Sequence, residues 1–252
     1  MTLAAENVTV TLGGKVVVDD ISLTFVRARV TAILGANGAG KTSLIRALSG
    51  LVTPTNGQVL LDDLPLPPIA VRARRIGYLP QNGQPAWNVT AREMVGLGRL
   101  PHRRPLSAPS AADDAAVEDA LKATDTIHLA DRTIDTLSGG ERARVAMARV
   151  LAGGPDWIIA DEPLANLDPP YVRDLLALFR AAAASGKGVI LVLHQLNAAA
   201  RVADDVVVMK EGRAIAQGAT ETALTAETLE AAFGMTFDVH LSGRTQTIQP
   251  TG

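Results

Sequence analysis

The 252-residue chain has 24 basic and 26 acidic side chains, a net charge of −2 and 47% hydrophobic residues, which suits one large domain or two small ones with a sizeable core. The near-neutral charge argues against an electrostatic nucleic-acid surface, and the absence of cysteine excludes disulfides, thiolate metal sites and cysteine nucleophiles. Residues 1–7 lack the pattern of a signal peptide, and no apolar run reaches the roughly 18–20 residues of a membrane span, so we expect a soluble protein whose membrane role comes through a partner.

The N-terminal part predicts a small antiparallel sheet. Apolar runs at residues 8–10 and 16–18 flank Gly13 and Gly14, which indicates a hairpin, and residues 21–25 alternate as a half-buried strand does. Further short strands are expected at residues 58–61 and 76–81.

Residues 35–42 fit the pattern G-x-x-x-x-G-K-[ST], which is typical of a phosphate-binding loop. The apolar run 30–34 before it predicts a buried strand, and residues 43–48 after it predict a helix, which is the context that the motif requires. Glycines let such a loop aim its amide groups at an anion, while the lysine reaches the β- and γ-phosphates. The alternative is a glycine-rich turn before an ordinary helix. The predicted nucleotide-binding residues here are Gly35, Ala36, Asn37, Gly38, Ala39, Gly40, Lys41, Thr42 and Ser43.

From Asn82 to about Gly153 the pattern changes to helices and loops. We expect a helix to begin over residues 88–95 and an exposed, basic, proline-rich loop over 101–109. Ser110 with Asp113, and Ser138 with Glu141, have capping-box spacing before helices that we place at 115–123 and 142–151.

The pattern of a parallel sheet then resumes. The apolar runs 157–160 and 189–193 predict strands covered on both faces, with a helix between them that begins at the N-cap Asp168. A hairpin at 206–216 and a last helix at 225–233 follow. We expect the tail after Ser242 to be frayed.

A second group of polar residues is expected to complete a nucleotide site. Asp161 and Glu162 end the strand from Trp157, so both lie at the ligand-binding edge of an α/β sheet. Asp161 can hold Mg²⁺ together with Thr42, and Glu162 can orient or deprotonate the attacking water. His194 and Gln81 each end a further strand, where the histidine can sense a γ-phosphate and the amide can contact Mg²⁺ or water. Each of these residues alone is equally compatible with a structural role.

The stretch Leu137-Ser138-Gly139-Gly140-Glu141 predicts a second anion site. A helix N-cap box explains Ser138 and Glu141, but a cap does not require Gly139 and Gly140. Two glycines leave the first amide groups of the helix open to a phosphate. This site lies about a hundred residues beyond the first.

Together these stretches resemble the ATP-binding subunit of an ABC transporter. The corresponding motifs are Walker A at 35–42, the Q-loop at Gln81, the signature at 137–141, Walker B at 157–161 followed by Glu162, the D-loop at 164–168 and the switch histidine His194. The resemblance implies an α/β fold: an ABC-type nucleotide-binding domain with a RecA-like parallel-sheet core, an N-terminal antiparallel β-subdomain and a helical subdomain. We expect one domain over 1–252, with residues 1–82 and 154–241 forming the β-subdomain and core and residues 83–153 the helical subdomain.

The resemblance also implies a mechanism and partners. ATP and Mg²⁺ are the expected ligands, and two subunits pair head to tail so that Walker A of one and Ser138, Gly139 and Gly140 of the other hold each ATP. The resulting closure drives an integral membrane permease at the cytoplasmic face of the inner membrane, and a substrate-binding protein takes part indirectly. Residues 95–102 resemble importers of ferric siderophores, haem and cobalamin.

Two positions depart from the family pattern. Leu12 stands where an aromatic residue commonly stacks on adenine, and Gln195 follows His194 where an aspartate is usual. Three alternatives remain open: a non-transport ABC protein, a regulatory nucleotide-binding module without turnover, and export rather than import. The single cassette and the charge disfavour the first, and Glu162 disfavours the second.

Overall fold

The computed structural model describes residues 1–81, 88–242 and 245–251. The predicted start of the helical section at Asn82 lies outside them. The strands in chain order are β1 (Thr2–Leu12), β2 (Lys15–Val26), β3 (Val30–Gly35), β4 (Asn56–Leu61), β5 (Leu64–Pro65), β6 (Ile76–Leu79), β7 (Trp157–Asp161), β8 (Gly188–Val192), β9 (Asp205–Lys210), β10 (Arg213–Ala219), β11 (Phe237–Ser242) and β12 (Thr245–Pro250). The α-helices are α1 (Lys41–Leu48), α2 (Ile69–Arg75), α3 (Ala91–Gly96), α4 (Ala111–Ala123), α5 (Gly139–Ala152), α6 (Pro169–Ala184), α7 (Leu196–Val202), α8 (Thr220–Ala223) and α9 (Ala226–Phe233).

The central sheet has the strand order β10-β9-β3-β8-β7-β6, with all neighbours parallel except the edge strand β10. Strands β3, β7 and β8 are buried at every residue. The continuous apolar runs predicted this burial, because helices cover both faces of a parallel sheet. The carboxyl ends of β3, β6, β7 and β8 therefore meet at one edge.

The antiparallel sheet has the order β2-β1-β4-β5. Pairing of β1 with β2 runs from Thr2 opposite Val26 to Leu12 opposite Lys15, so the turn falls at Gly13 and Gly14 as predicted. The predicted strand at 21–25 is part of β2 and not a separate element. Side chains of this sheet share a core with α1 and with one face of the central sheet. The predicted α/β fold is thus confirmed.

A separate hydrophobic core forms within residues 91–152, among α3, α4 and α5. Helix α3 begins at Ala91, so the prediction of a start at Asn88 was three residues early. The reason is a capping box that the sequence analysis missed: Glu93 N donates to Thr90 Oγ1 at 3.2 Å, and Thr90 N donates to Glu93 Oε2 at 2.8 Å. The expected loop at 101–109 is also shorter, because a 3₁₀ helix at Leu97–His102 includes its first two residues.

The segment Leu97–His102 closes the C-terminal end of α5. The Arg99 guanidinium donates to the carbonyl oxygen of Ala152 at 2.9 Å, and His102 Nε2 lies 2.8 Å from that of Gly153. A Cβ on Gly98 would lie 2.0 Å from the carbonyl oxygen of Arg149. Basic groups on the last carbonyls of a helix complement its dipole. This segment, taken from the sequence as a mark of transporter class, therefore has a structural task.

The prediction that the tail after Ser242 is frayed was wrong. Strand β12 pairs with β11, and Ile248 within it is buried. The Asn197 side chain in α7 takes the place of another strand: its Nδ2 donates to Ile248 O at 2.9 Å, and its Oδ1 accepts from Ile248 N at 2.8 Å. In the described part of the chain, no helix combines the length and the apolar character that crossing a bilayer needs.

Two glycines in this region provide a matched test. Gly98→Ala places its new methyl group against the backbone of α5, so we expect it to lower the free energy of unfolding by about 1–3 kcal/mol. Gly96→Ala meets no atom within 4 Å at a helical φ of −57°, so it should be neutral or stabilise by up to about 1 kcal/mol. Denaturant unfolding of the full chain measures both. Equal midpoints for the two variants would contradict the close approach at Gly98.

Candidate active site

The glycine loop joins the end of β3 to the start of α1. Its glycines at 35, 38 and 40 have φ values of 144°, 80° and 96°, which side chains rarely allow. A Cβ on Gly40 would lie 2.2 Å from Val17 O, and one on Gly35 would lie 2.2 Å from Met209 O. The backbones of β2 and β9 thus close directly onto the loop, which holds it in shape.

The Lys41 side chain lies inside the loop and is 5% exposed. Its ammonium group donates to Gly35 O at 2.8 Å and to Ala36 O at 2.9 Å. Burial lowers the pKa of Lys41, and the negative charges of Glu162 and Asp161 oppose that shift. A cation in this position, surrounded by loop amides, can bind phosphate oxygens.

Asp161 and Thr42 come together in the fold although they lie 119 residues apart in the sequence. The Thr42 hydroxyl donates to Asp161 Oδ1 at 3.0 Å, and the Tyr78 hydroxyl lies 3.2 Å from Oδ2. Asp161 ends β7 and is only 3% exposed. Hydroxyl and carboxylate oxygens suit Mg²⁺, which commonly takes one or two protein ligands and completes its shell with water and substrate phosphates. The pair therefore fits the predicted metal.

Glu162 follows Asp161 with a φ of 48°, and its backbone N–H donates to Val192 O at 3.1 Å. Gln81 Nε2 donates to Glu162 Oε2 at 2.6 Å, and His194 Nε2 lies 2.6 Å from Oε1. Because an ionised carboxylate only accepts hydrogen bonds, His194 carries its proton on Nε2 in this arrangement. Side chains from the ends of three strands meet here, as the sequence predicted. Gln81 contacts Glu162, however, and not the Thr42–Asp161 pair.

The predicted signature lies at the N-terminus of α5. Ser138 Oγ accepts from Glu141 N at 3.3 Å, and Glu141 Oε2 accepts from Ser138 N at 2.7 Å, so the capping box is present. Gly139 has open space beside it, because a Cβ built there would lie 3.9 Å from its nearest neighbours, Asn166 O and Leu167 Cδ2. Gly140 differs, because a Cβ there would lie 2.2 Å from the Tyr171 ring. Packing against Tyr171 therefore requires a glycine at position 140, in addition to the predicted phosphate access.

The two predicted anion sites are separate within one chain. Among residues 1–81, 88–242 and 245–251, no hydrogen bond or ion pair joins residues 138–141 to residues 35–43. A cleft lined by Gln81, Glu162, Gly139 and Arg142 lies between the sheet edge and α5. The signature thus shares a cleft with the predicted hydrolytic group of its own chain, but among the described residues it has no hydrogen bond or ion pair to its own glycine loop.

Sequence reasoning missed Tyr78. A tyrosine inside a short strand is expected from β propensity alone and carries no functional signal. Its position does carry a functional signal, because Tyr78 comes three residues before Gln81 on the strand that pairs with β7. The sequence also could not show that Val17 O and Met209 O contact the glycine loop, because backbone contacts leave no residue pattern.

Comparisons with known proteins agree with this geometry. The sequence profile of the ABC transporter family matches residues 18–165. The chain is 39% identical over 250 residues to the hemin import ATP-binding protein HmuV of Bordetella pertussis, covering 95% of this chain and 94% of that protein. It is also 39% identical over 236 residues to the ferric enterobactin transport ATP-binding protein FepC of Escherichia coli K12, covering 92% of this chain and 87% of the relative.

Among solved structures, it is similar to the dimeric post-hydrolysis state of the ATP-binding cassette MJ0796 bound to ADP and Pi. The TM-score is 0.73 at 27% identity, with 86% of this chain and 98% of that chain covered. The profile match and the nearly full-length relatives show the family directly. The chain belongs to the ABC transporter family, and it is an ATPase of the ATP-binding cassette type.

Proposed function

We propose that the chain hydrolyses ATP to power a separate membrane permease that imports an iron chelate such as a ferric siderophore, or haem, or cobalamin. The observation that carries the hydrolytic part is the convergence of Gln81, Glu162 and His194 beside the Thr42–Asp161 pair. The printed names of the relatives, hemin import and ferric enterobactin transport, support the cargo class. The near-neutral charge supports a role without nucleic acid.

In this proposal the loop amides of residues 35–43 and the Lys41 ammonium bind the triphosphate of ATP. Thr42 and Asp161 hold Mg²⁺, which when bound neutralises charge on the β- and γ-phosphates. Glu162 accepts a proton from the attacking water or orients it. Gln81 and His194 each use one lone pair on one oxygen of Glu162, so each oxygen can still accept a hydrogen bond from water. The positive backbone φ at Glu162 sets the direction of its side chain.

The separation of the two anion sites supports a head-to-tail homodimer. In the described part of the chain, no hydrogen bond or ion pair joins Ser138 or Gly139 to the glycine loop, and Ser138 is exposed. In the proposed dimer, the open amide groups at the start of α5 bind the γ-phosphate held by the partner's loop. The dimeric state of the cassette with 27% identity supports the pairing of two chains.

We further propose that the subunit lies on the cytoplasmic face of the inner membrane, bound to its permease and dependent indirectly on a substrate-binding protein. Exposed leucines in the helical section support a protein contact there. They are Leu97, Leu100 and Leu106.

Replacing Glu162 tests the proposed chemistry. We expect Glu162→Gln to keep ATP binding while steady-state hydrolysis falls by about 100-fold or more, because the amide cannot accept the proton. Glu227→Gln, the same change on exposed helix α9, should retain wild-type turnover. Assays in proteoliposomes that contain the permease and are supplied with the substrate-binding protein measure ATPase activity and uptake of haem, a ferric siderophore or cobalamin. Near-normal hydrolysis in Glu162→Gln would remove Glu162 from its role, and uptake of none of the three would refute the cargo class.

Cross-linking tests the dimer. The chain has no cysteine, so a subunit with Ser43→Cys can be mixed with one carrying Gly139→Cys against a clean background. We expect ATP to promote a disulfide between the two chains, because the partner's signature faces the loop only in the closed dimer. The control is a subunit with Ser185→Cys in place of Gly139→Cys, because Ser185 is exposed at the end of α6. A yield that ATP does not change would contradict head-to-tail pairing.

Leu12 predicts weak base selectivity. This side chain is 46% exposed at the end of β1 and offers apolar contact without a π-face. We expect ATP and GTP to bind with similar affinity, and Leu12→Tyr to tighten ATP binding by up to ~1 kcal/mol, a share of the stacking energy of a base on an aromatic ring. Fluorescence or calorimetric titration with both nucleotides measures this. A wild-type preference for ATP above about tenfold, equal to ~1.4 kcal/mol, or no gain from tyrosine, would show that Leu12 is not a weakened adenine site.

A further inference from the structure

Asp161 has two oxygens, and the proposed metal site accounts for only one of them. Oδ1 accepts from the Thr42 hydroxyl at 3.0 Å, whereas Oδ2 accepts from the Tyr78 hydroxyl at 3.2 Å. A carboxylate buried this deeply needs partners for both oxygens, because an unsatisfied buried charge is costly. Tyr78 therefore does more than fill space beside β7.

The direction of the bond between Tyr78 and Asp161 follows from the chemistry of the two groups. A phenol can donate its proton, whereas an ionised carboxylate only accepts, so the hydrogen bond of 3.2 Å runs from the Tyr78 hydroxyl to Asp161 Oδ2. Burial raises the pKa of the Tyr78 hydroxyl, and the nearby positive charge of Arg46 opposes that shift.

Helix α1 supplies the partner of the other oxygen. Thr42 lies in the first turn of α1 and reaches Oδ1 directly. The carboxylate is thus held between the helix that begins in the glycine loop and the Tyr78 hydroxyl of β6.

The Tyr78 backbone is fixed as well. Residue 78 pairs in register with Ile159 of β7, and its carbonyl oxygen accepts from the Arg149 guanidinium at 3.2 Å. The side chain packs against the core between the two sheets. The ring therefore has little freedom to move away from Asp161.

We propose that Tyr78 is a positioning residue for magnesium, which holds the Asp161 carboxylate in the orientation that directs Oδ1 toward Thr42 and the metal. This rests on the proposed function, in which Thr42 and Asp161 hold Mg²⁺. Tyr78 touches neither nucleotide nor metal, and it acts by restricting rotation of the carboxylate. Its loss lowers the affinity for the metal more than the turnover at saturating metal.

Tyr78→Phe tests this, because it removes the hydroxyl and keeps the ring. The readout is the affinity of Mn²⁺ for the protein–ADP complex, measured by electron paramagnetic resonance without turnover. We expect the dissociation constant to rise about tenfold or more, the effect of losing one hydrogen bond to a charged group. ADP affinity in EDTA and the melting temperature should stay near wild-type values. Turnover should recover to within about twofold at saturating Mg²⁺, since the ligands themselves remain.

A matched variant makes the result decisive. Tyr171→Phe removes the hydroxyl of the only other tyrosine in the sequence, and Mn²⁺ affinity should not change.

Asp161→Asn separates this proposal from the proposed function. If it weakens Mn²⁺ binding while Tyr78→Phe does not, the role of Tyr78 is refuted and the metal site stands. If neither variant changes Mn²⁺ binding, the metal site itself is refuted. A lower melting temperature in Tyr78→Phe with unchanged Mn²⁺ affinity would reduce Tyr78 to a packing role and also overturn the proposal.

Discussion

The buried carboxylate of Asp161 is the constraint on which the arrangement of this site depends. A charge in the interior has to be matched by donors, and Thr42 and Tyr78 supply them from α1 and β6. These contacts fix the positions of helix α1, strand β6 and strand β7 relative to one another. Misplacing any of the three would leave a buried charge without a partner, which makes alternative packings unfavourable.

Glu162, the next residue, has the opposite character. It is partly exposed, its backbone has a positive φ, and its carboxylate is held by two side chains that end neighbouring strands. Two adjacent acids thus occupy different surroundings: one fixed and buried, the other accessible and held by groups that can exchange partners. Such a contrast is common where one acid binds a metal and another handles a proton.

Much of this fold could be predicted from sequence because its strongest signals are local. Continuous apolar runs predicted the buried strands, and glycines followed by lysine and threonine predicted the loop between β3 and α1. Polar residues after four strands were expected to meet at one edge, because carboxyl ends of parallel strands do so. Gln81, Glu162 and His194 indeed lie together.

The features that the sequence analysis did not predict share a different cause. Gly98 and Gly140 are required by the approach of Arg149 O and the Tyr171 ring, contacts between parts of the chain that only folding brings together. Tyr78 depends likewise on Asp161, more than eighty residues away. The tail was taken as frayed because the sequence analysis did not recognise residues 237–242 as the strand that pairs with it, and because its other contact is to the side chain of Asn197 in α7.

That contact of the tail has a consequence for the order of events during synthesis. Asn197 lies three residues after His194, and the strand that braces it is the last described element to leave the ribosome. Chains emerge from the N-terminus, so α7 lacks this brace until the last described residues have been made. The segment that carries His194 therefore depends on the last described strand through a direct contact at Asn197.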